Sequence, residues 1–397
     1  MNMKETRCIV VGGGYAGINA VKAIEKAFGS REGLPTLRII LMDKHPYHLR
    51  KVLLFKPAAV ENEEITVPLA RLLPQDVDFV QATVTGIESD ARRVHYVNNQ
   101  GNEQVMEYDI LVLAAGSIIR QPDSEKGGIA LTGLAAAQSI RETWRANLRK
   151  ATKMEDRAER ERLMTITVAG AGISGIETSA ELAYAAREDV NALGLEPNAV
   201  AVKLINANNR LFPDGPVKVG TKLERMLEAG GVTVLHNRKV LQEKDGVLTL
   251  SDGSIIPSGL CVWTLGLLPN PMLSGLGVPL TADGYIAVDA SYRVQRAPGL
   301  YAIGDCAEII DPASGLADGK TCKEATAQAS RLAQVIAADL MGRPAPTHKR
   351  FMDFFCFGLG PQRGMAWTRA WGIDMIFTGK LGWRLREFTW KSASLLK

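Results

Sequence analysis

The sequence predicts an α/β fold in which one parallel strand–helix–strand unit is used twice, and three observations carry that expectation. "RCIVVGGGYAGINAVKAIEKAF" begins at Arg7 with an apolar run, crosses consecutive glycines, and continues with Ile18, Val21, Ile24 and Phe28 at helical spacing. "TITVAGAGISGIETSAELAYAA" from Thr165 repeats that order around a second glycine turn. The 397 residues, 46% of them hydrophobic, are enough for two or three packed domains at roughly 150 residues each.

The elements follow in order. Residues 7–11 read as a buried strand, the stretch from Ala16 as a helix, and "LRIILMD" from Leu37 as a second buried strand that ends in the acid Asp43. "YDILVLAAGS" from Tyr108 is another short apolar run, closed by Ala115 and Gly116. The charge-rich stretch "RETWRANLRKATKMEDRAERERLM" from Arg141 alternates its charges at helical spacing and reads as a solvated connector. After the second glycine turn comes the strand "AVAVKLIN" from Ala199. A helix and short strands with Gly, Asp and Pro turns then occupy residues 216–298. "GLYAIGDCAEI" from Gly299 leads into a helix from about Glu324 to Leu340, and Pro344 and Pro346 set off an aromatic, basic tail.

Composition excludes several classes. With 47 basic and 43 acidic residues the net charge is +4, which points to neither a nucleic acid nor another polyanion. No stretch reaches the roughly 18 consecutive apolar residues of a spanning helix, and the N-terminus lacks a signal-peptide pattern. The five cysteines, Cys8, Cys261, Cys306, Cys322 and Cys356, are scattered without a CxxC, so no metal site and a reducing compartment are expected.

The glycine turns carry the chemistry. A lone G-x-G-x-x-G is weak evidence, but here it occurs twice in strand–turn–helix context. Gly12 permits the turn, Gly14 lets backbone N–H groups approach a pyrophosphate, and Gly17 lets helix and strand pack closely, with Tyr15 and Ala16 between them. Gly170, Gly172 and Gly175 repeat the pattern. Asp43 ends its strand where a carboxylate can accept from ribose hydroxyls. Two such Rossmann-like units imply two dinucleotides, and the chemistry that uses both is hydride transfer from a nicotinamide to a flavin. In "AIGDC" the Gly304–Asp305 pair can bring a carboxylate to a ribityl hydroxyl, which assigns the first unit to FAD and the second to NAD(P)H.

Taken together, "VVGGGYAG", "LMDKHPYHLRKVLL", "YDILVLAAGS", "VAGAGISGIE", "VWTLGLLPN" from Val262, "GYIAVD" from Gly284, "YAIGDCA" and "EATAQA" resemble the two-dinucleotide flavoproteins, and among them the type II NADH dehydrogenases. The resemblance covers residues 7 to about 335. It implies FAD on Gly12, Gly14, Gly17, Asp43 and Asp305, with Lys44, Arg50, Ala115, Gly116 and Gly304 lining the site and Val84 near the adenine. NADH is implied on Gly170, Gly172 and Gly175, with Gly266 alongside. Glu177 matches a glutamate near the nicotinamide and flavin rings. A quinone is the implied acceptor, near Ala327 and Gln328.

Three departures qualify these expectations. Asn206 stands where an acid would pair with the NADH ribose, with Arg210 nearby, which keeps NADPH open. Arg50, Lys51 and Val52 replace phenylalanine, glutamine and proline. The motif AQxAxQ reads "AQASRL", with Ser330 and Leu332 replacing its second alanine and second glutamine. A soluble reductase of a ferredoxin-like protein or of a quinone-like biosynthetic intermediate therefore stays open, as does an NADH-binding signalling protein. A disulfide reductase is excluded, because residues 44–60 hold no cysteine.

The implied division is 1–120 and 286–345 for a discontinuous FAD domain, 121–285 for the inserted NAD(P)H domain, and 346–397 for the tail. In that tail Lys380, Arg384, Arg386, Lys391 and Lys397 oppose Glu387 alone. Leu381, Leu385, Phe388 and Leu395 fall near one helical face, with Trp383 and Trp390 seven residues apart. This suits a helix on the inner surface of the cell membrane in an otherwise cytoplasmic protein, a cap over the cleft, or a homodimer contact.

Overall fold

Runs such as CIVV and IILM have no polar alternation, so they form strands covered on both faces, the condition met in parallel sheets. The computed structural model describes residues 6–29, 34–61, 64–196 and 199–393. Its first unit is β1 (Thr6–Val11), α1 (Tyr15–Gly29) and β2 (Leu37–Asp43), followed by the meander β3 (Val77–Glu88), β4 (Arg93–Asn98) and β5 (Glu103–Glu107), and by β6 (Ile110–Leu113). The second unit holds α2 (Leu134–Ala151), β7 (Thr165–Ala169), α3 (Ile173–Ala192), β8 (Ala201–Ile205), β9 (Val232–Leu235) and β10 (Leu260–Trp263). The chain returns through β11 (Leu300–Ala302) and α4 (Cys322–Leu340). It ends in β12 (Phe354–Gly358), β13 (Gly364–Ala370), β14 (Ile373–Thr378) and α5 (Gly379–Ala393).

Two sheets result. The first runs β11-β6-β1-β2-β3-β4-β5, parallel from β11 to β3 and antiparallel beyond. The second adds Ile129–Ala130 to β10-β7-β8-β9 and is parallel throughout. Val11 lies opposite both Met42 and Leu113, and Ala169 opposite both Ile205 and Trp263. Three strands thus end level at each glycine turn, the place where doubly wound sheets bind ligands. Ser117–Ile119 and Leu267–Pro269 pair antiparallel, so the chain leaves and re-enters the first unit side by side.

Two details differ from expectation. Residues from Arg141 are not a solvated connector: in α2, Ala137, Ile140, Trp144 and Leu148 recur at helical spacing and are buried in the second core, with Trp144 Nε1 donating to Ala58 O at 3.0 Å. The charges occupy the remaining face, where Arg145 meets Glu61 at 2.5 Å and Asp189 at 2.9 Å. Charge periodicity marked the wet face and concealed the dry one. In addition, Leu273, Leu276 and Val278 already pack in the first core, ahead of the return expected at residue 286.

Candidate functional site

The two glycine turns are built alike. Gly12 and Gly170 have φ of +112° and +113°, and a Cβ on either would lie 2.3 Å from Ala114 O or 2.4 Å from Thr264 O. A Cβ on Gly17 would sit 1.8 Å from Gly12 O, and one on Gly175 1.8 Å from Gly170 O. Each third glycine lets its helix touch the end of its strand. Gly14 and Gly172 face open space instead, with nothing within 4 Å of the point a Cβ would occupy. Open space beside the backbone at the head of each helix is what a pyrophosphate needs.

Around the first turn, Asp43 Oδ2 accepts from Gly13 N at 2.6 Å and Oδ1 from His45 N at 2.7 Å, which fixes the carboxylate at the strand end. His48 is buried with Nδ1 on Gly13 O at 2.9 Å, and the Tyr15 ring meets it edge-on at 4.6 Å. Tyr15 Oη, His48 Nε2 and Arg50 Nε are buried without a hydrogen-bond partner among the described residues. Buried polar atoms are normally satisfied, so this cluster fits a bound polar group such as a dinucleotide. Lys44 is exposed. Val84 is 4% exposed with its side chain in the first core, so it has only backbone to offer an adenine.

The Gly304–Asp305 turn reaches the same space. Asp305 Oδ2 accepts from Ser117 Oγ at 2.8 Å, and Lys51 Nζ donates to Ser117 O at 2.8 Å. Burial pushes the Asp305 carboxyl up, opposed by the Ser117 hydroxyl and by Lys51 and Lys320. Gly304, at φ +75°, gives its N–H to Gln328 Oε1 at 2.8 Å, while Gln328 Nε2 donates to Asp318 Oδ2 at 2.7 Å. The Gln328 amide, expected to face an acceptor, is buried and committed at both ends. Ala327 beside it is half-buried, and Ala115, Gly116 and Gly266 lie where the crossing strands begin.

Glu177 lies on α3 and is 2% exposed. Its Oε1 accepts from Gly358 N at 2.6 Å and from Arg386 Nε at 2.7 Å, and its Oε2 from Arg386 Nη2 at 2.5 Å. Burial raises the carboxyl against the pull of the Arg386 guanidinium and the Gly358 N–H. This fork ties the tail to the second unit. Trp390, packed on Phe55 at 5.8 Å and Trp383 at 5.1 Å, takes the Arg386 guanidinium over its ring at 4.9 Å. Phe212, at φ +50°, meets Phe355, Phe357 and Trp367 at 5.0–5.6 Å and seals the tail sheet against the second unit.

The tail is therefore a cap on one face. Trp383, Arg386 and Trp390 point inward, whereas Leu381 and Phe388 on the opposite face are 54% and 62% exposed, and Trp371 at the hairpin tip is 96% exposed. Leu395 and Lys397 lie outside the described residues. Among the described residues, no helix is long and apolar enough to cross a membrane, and no cluster could hold a metal ion. Sequence reasoning missed Arg386, Ser117 and Asp318 as neighbours of the site. Only the basic surplus of the tail hinted at the first.

At the second turn Asn206 is buried. Its amide donates to Arg210 O at 2.9 Å and contacts His236 Nδ1 at 2.8 Å. Arg210 in turn gives its guanidinium to the carbonyls of Phe212, at 2.9 Å, and Pro213.

The chain is similar to known proteins. A family model described as pyridine nucleotide-disulphide oxidoreductase matches residues 6–335. An NADH dehydrogenase-like protein of Mycobacterium tuberculosis is 29% identical over 312 residues, 76% of this chain and 73% of that one. A type II NADH:quinone oxidoreductase of Staphylococcus aureus is 27% identical over 330 residues, 78% and 76% of the two chains. The structure of NDH2 from Plasmodium falciparum in complex with NADH superposes with a TM-score of 0.82 over 99% of this chain and 97% of that one, at 16% identity, a likeness of fold.

Proposed function

The chain belongs to the pyridine nucleotide-disulphide oxidoreductase family, and from that premise we propose that it is an FAD-dependent NADH:quinone oxidoreductase. The observation that carries this reading is the duplicated glycine cradle, Gly12-x-Gly14-x-x-Gly17 and Gly170-x-Gly172-x-x-Gly175, in a chain whose residues 44–60 contain no cysteine. The five cysteines, at positions 8, 261, 306, 322 and 356, form no closely spaced pair through which the disulfide chemistry in the family's name would act. The two relatives named for NADH dehydrogenase chemistry support the same reading.

FAD would be held by the Gly12–Gly17 turn at its pyrophosphate, by Asp43 at a ribose and by Asp305 at the ribityl chain. When bound, it supplies two-electron exchange between a nicotinamide and a quinone. Gly170, Gly172 and Gly175 take the NADH pyrophosphate at the start of α3. Glu177, gripped by Arg386, orders the nicotinamide end, and Trp390 with the Phe212 cluster keeps water out. Arg210 is engaged by carbonyls and is not free for a 2′-phosphate, so the reading takes NADH over NADPH. Gln328 positions the Gly304–Asp305 turn. Gln328→Ala should therefore weaken FAD retention about tenfold, as the loss of a buried hydrogen bond does. Unchanged FAD affinity with lost quinone turnover would return this amide to the acceptor.

The exposed face of α5 and the tip at Trp371 are assigned to a membrane surface, with Lys380 and Arg384 at its edge for anionic headgroups. Replacing Trp371 and Phe388 with serine should abolish sedimentation with anionic vesicles and leave turnover of a soluble quinone unchanged. The function itself is tested by steady-state NADH oxidation with a soluble quinone, oxygen or a ferredoxin-like protein as acceptor. The quinone should be fastest, and preference for the protein acceptor would overturn the assignment.

A further inference from the structure

With Gln328 committed to Gly304 and Asp318, the question is which group on the same helix meets an acceptor. Lys323, at the second position of α4, is the outstanding candidate. It is half-buried, and its ammonium lies 4.7 Å from the ring centre of Phe355, 5.3 Å from that of Phe354 and 5.6 Å from that of Phe351. Three aromatic faces favour a cation. Glu324 and Asp353 pull the same way from a distance, but burial outweighs them.

The helix start, already closed by the Thr321–Glu324 capping box, carries the positive end of the α4 dipole, which repels an ammonium. No hydrogen bond or salt bridge reaches Lys323 Nζ from the described residues. Burial holds its pKa below that of an ordinary lysine, against the pull of Glu324, Cys356, Cys322 and Asp353. The charged and titratable groups facing it are thus Cys322 and Glu324 from its own helix, and Asp353 and Cys356 from β12 and the loop before it. Arg386 of α5 joins them, since its charge and that of Lys323 bear on both Cys322 and Cys356.

The same helix end adjoins the first cradle, because Asn19 of α1 donates both to Tyr15 O at 2.8 Å and to Thr326 Oγ1 of α4 at 3.3 Å. A desolvated cation without a hydrogen-bond acceptor, lined by flat apolar rings, fits a planar ligand that brings an oxygen acceptor with it.

We infer that Lys323 is the acceptor-end acid of this enzyme: within its phenylalanine cage it donates a hydrogen bond to a ring oxygen of the quinone and passes a proton to that oxygen as the quinone is reduced. The inference rests on the NADH:quinone reading. In the balance, NADH supplies two electrons and one proton, Lys323 supplies the second proton, and both carbonyl oxygens of the quinone become hydroxyls. Lys323 then regains its proton from water, so that NADH, one solvent proton and quinone give NAD⁺ and hydroquinone. A quinone carrying an anionic substituent gains an ion pair in the same place and binds more tightly than its neutral parent.

The test compares wild-type holoenzyme with Lys323→Met and Lys323→Arg, using 1,4-naphthoquinone and its 2-sulfonate. Lys323→Met should be reduced by NADH at the wild-type rate, yet be reoxidised by naphthoquinone about a hundredfold more slowly, the scale of a lost general acid. Equilibrium binding of the sulfonate, measured without turnover, should weaken about tenfold in Lys323→Met and persist in Lys323→Arg. Lys323→Arg should therefore retain KM and lose kcat. Wild-type reoxidation should fall as pH rises through the lowered lysine pKa, and Lys323→Met should lack that alkaline limb.

Thermal unfolding checks the fold of the variant, and Lys323→Met should be at least as stable as wild type, since it removes a desolvated ammonium that lacks a hydrogen-bond acceptor. If wild type and Lys323→Met are reoxidised equally, with one pH profile, Lys323 is a packing residue and the inference fails while the quinone reading stands. If NADH reduces the wild type and no quinone reoxidises it, both fail together.

Discussion

Gly17→Ala should purify without flavin, whereas Gly175→Ala should keep its yellow colour and lose NADH. The two substitutions are sterically equivalent, each putting a methyl 1.8 Å from the carbonyl oxygen of the first glycine of its turn. Neither overlap can be relieved by a side chain, because the obstacle is backbone. The helix must move off the strand by about an ångström or more, and its N-terminal N–H groups move with it. Displacements on that scale cost on the order of 10²-fold at a binding or reacting centre. Bound flavin measured after purification, and NADH affinity measured by titration, separate the two sites. If Gly175→Ala lost flavin and retained NADH binding, the assignment of the cradles would be reversed.

The second large effect concerns the Glu177–Arg386 fork, whose side chains are 3% and 12% exposed. Removing one partner of such a pair strands the other charge and costs about 3–5 kcal/mol. Arg386→Leu should therefore loosen the whole tail, with protease cutting near residues 359–363, between β12 and β13. Glu177→Ala should strand Arg386 in the same way and also slow reduction by NADH. The double variant Glu177→Leu/Arg386→Leu should recover most of the lost stability, since no charge is left unpaired, and should still be slow with NADH. Restored stability together with restored reduction would show that the pair only anchors the tail.

Much of this architecture was legible because it follows from local rules. The buried strands β1, β2 and β6 were implied by unbroken apolar runs, and the roles of Gly12, Gly17, Gly170 and Gly175 by their spacing, whereas the level ends of the strands came from the register. Contacts between distant segments were not. Glu177 and Arg386 are 209 residues apart, and no periodicity connects them. The tail's five cations suggest one surface charge, although one of them is turned inward beneath Trp390. Trp144 and Leu148 were hidden among the charges of α2, because a half-buried helix and a solvated one share the same polar face. Gln328 shows the other limit: the motif located the amide, and only the fold revealed that Gly304 and Asp318 engage it.

The central claim, that electrons pass from NADH through this chain's flavin to a quinone, is tested most directly by two additions to one anaerobic sample. NADH is mixed with the purified holoprotein while the flavin's visible absorbance is followed, and a soluble quinone is then added. Rapid bleaching by NADH and rapid recovery on addition of the quinone are expected. Failure of NADH to bleach the flavin, or bleaching that the quinone does not reverse, would contradict the claim.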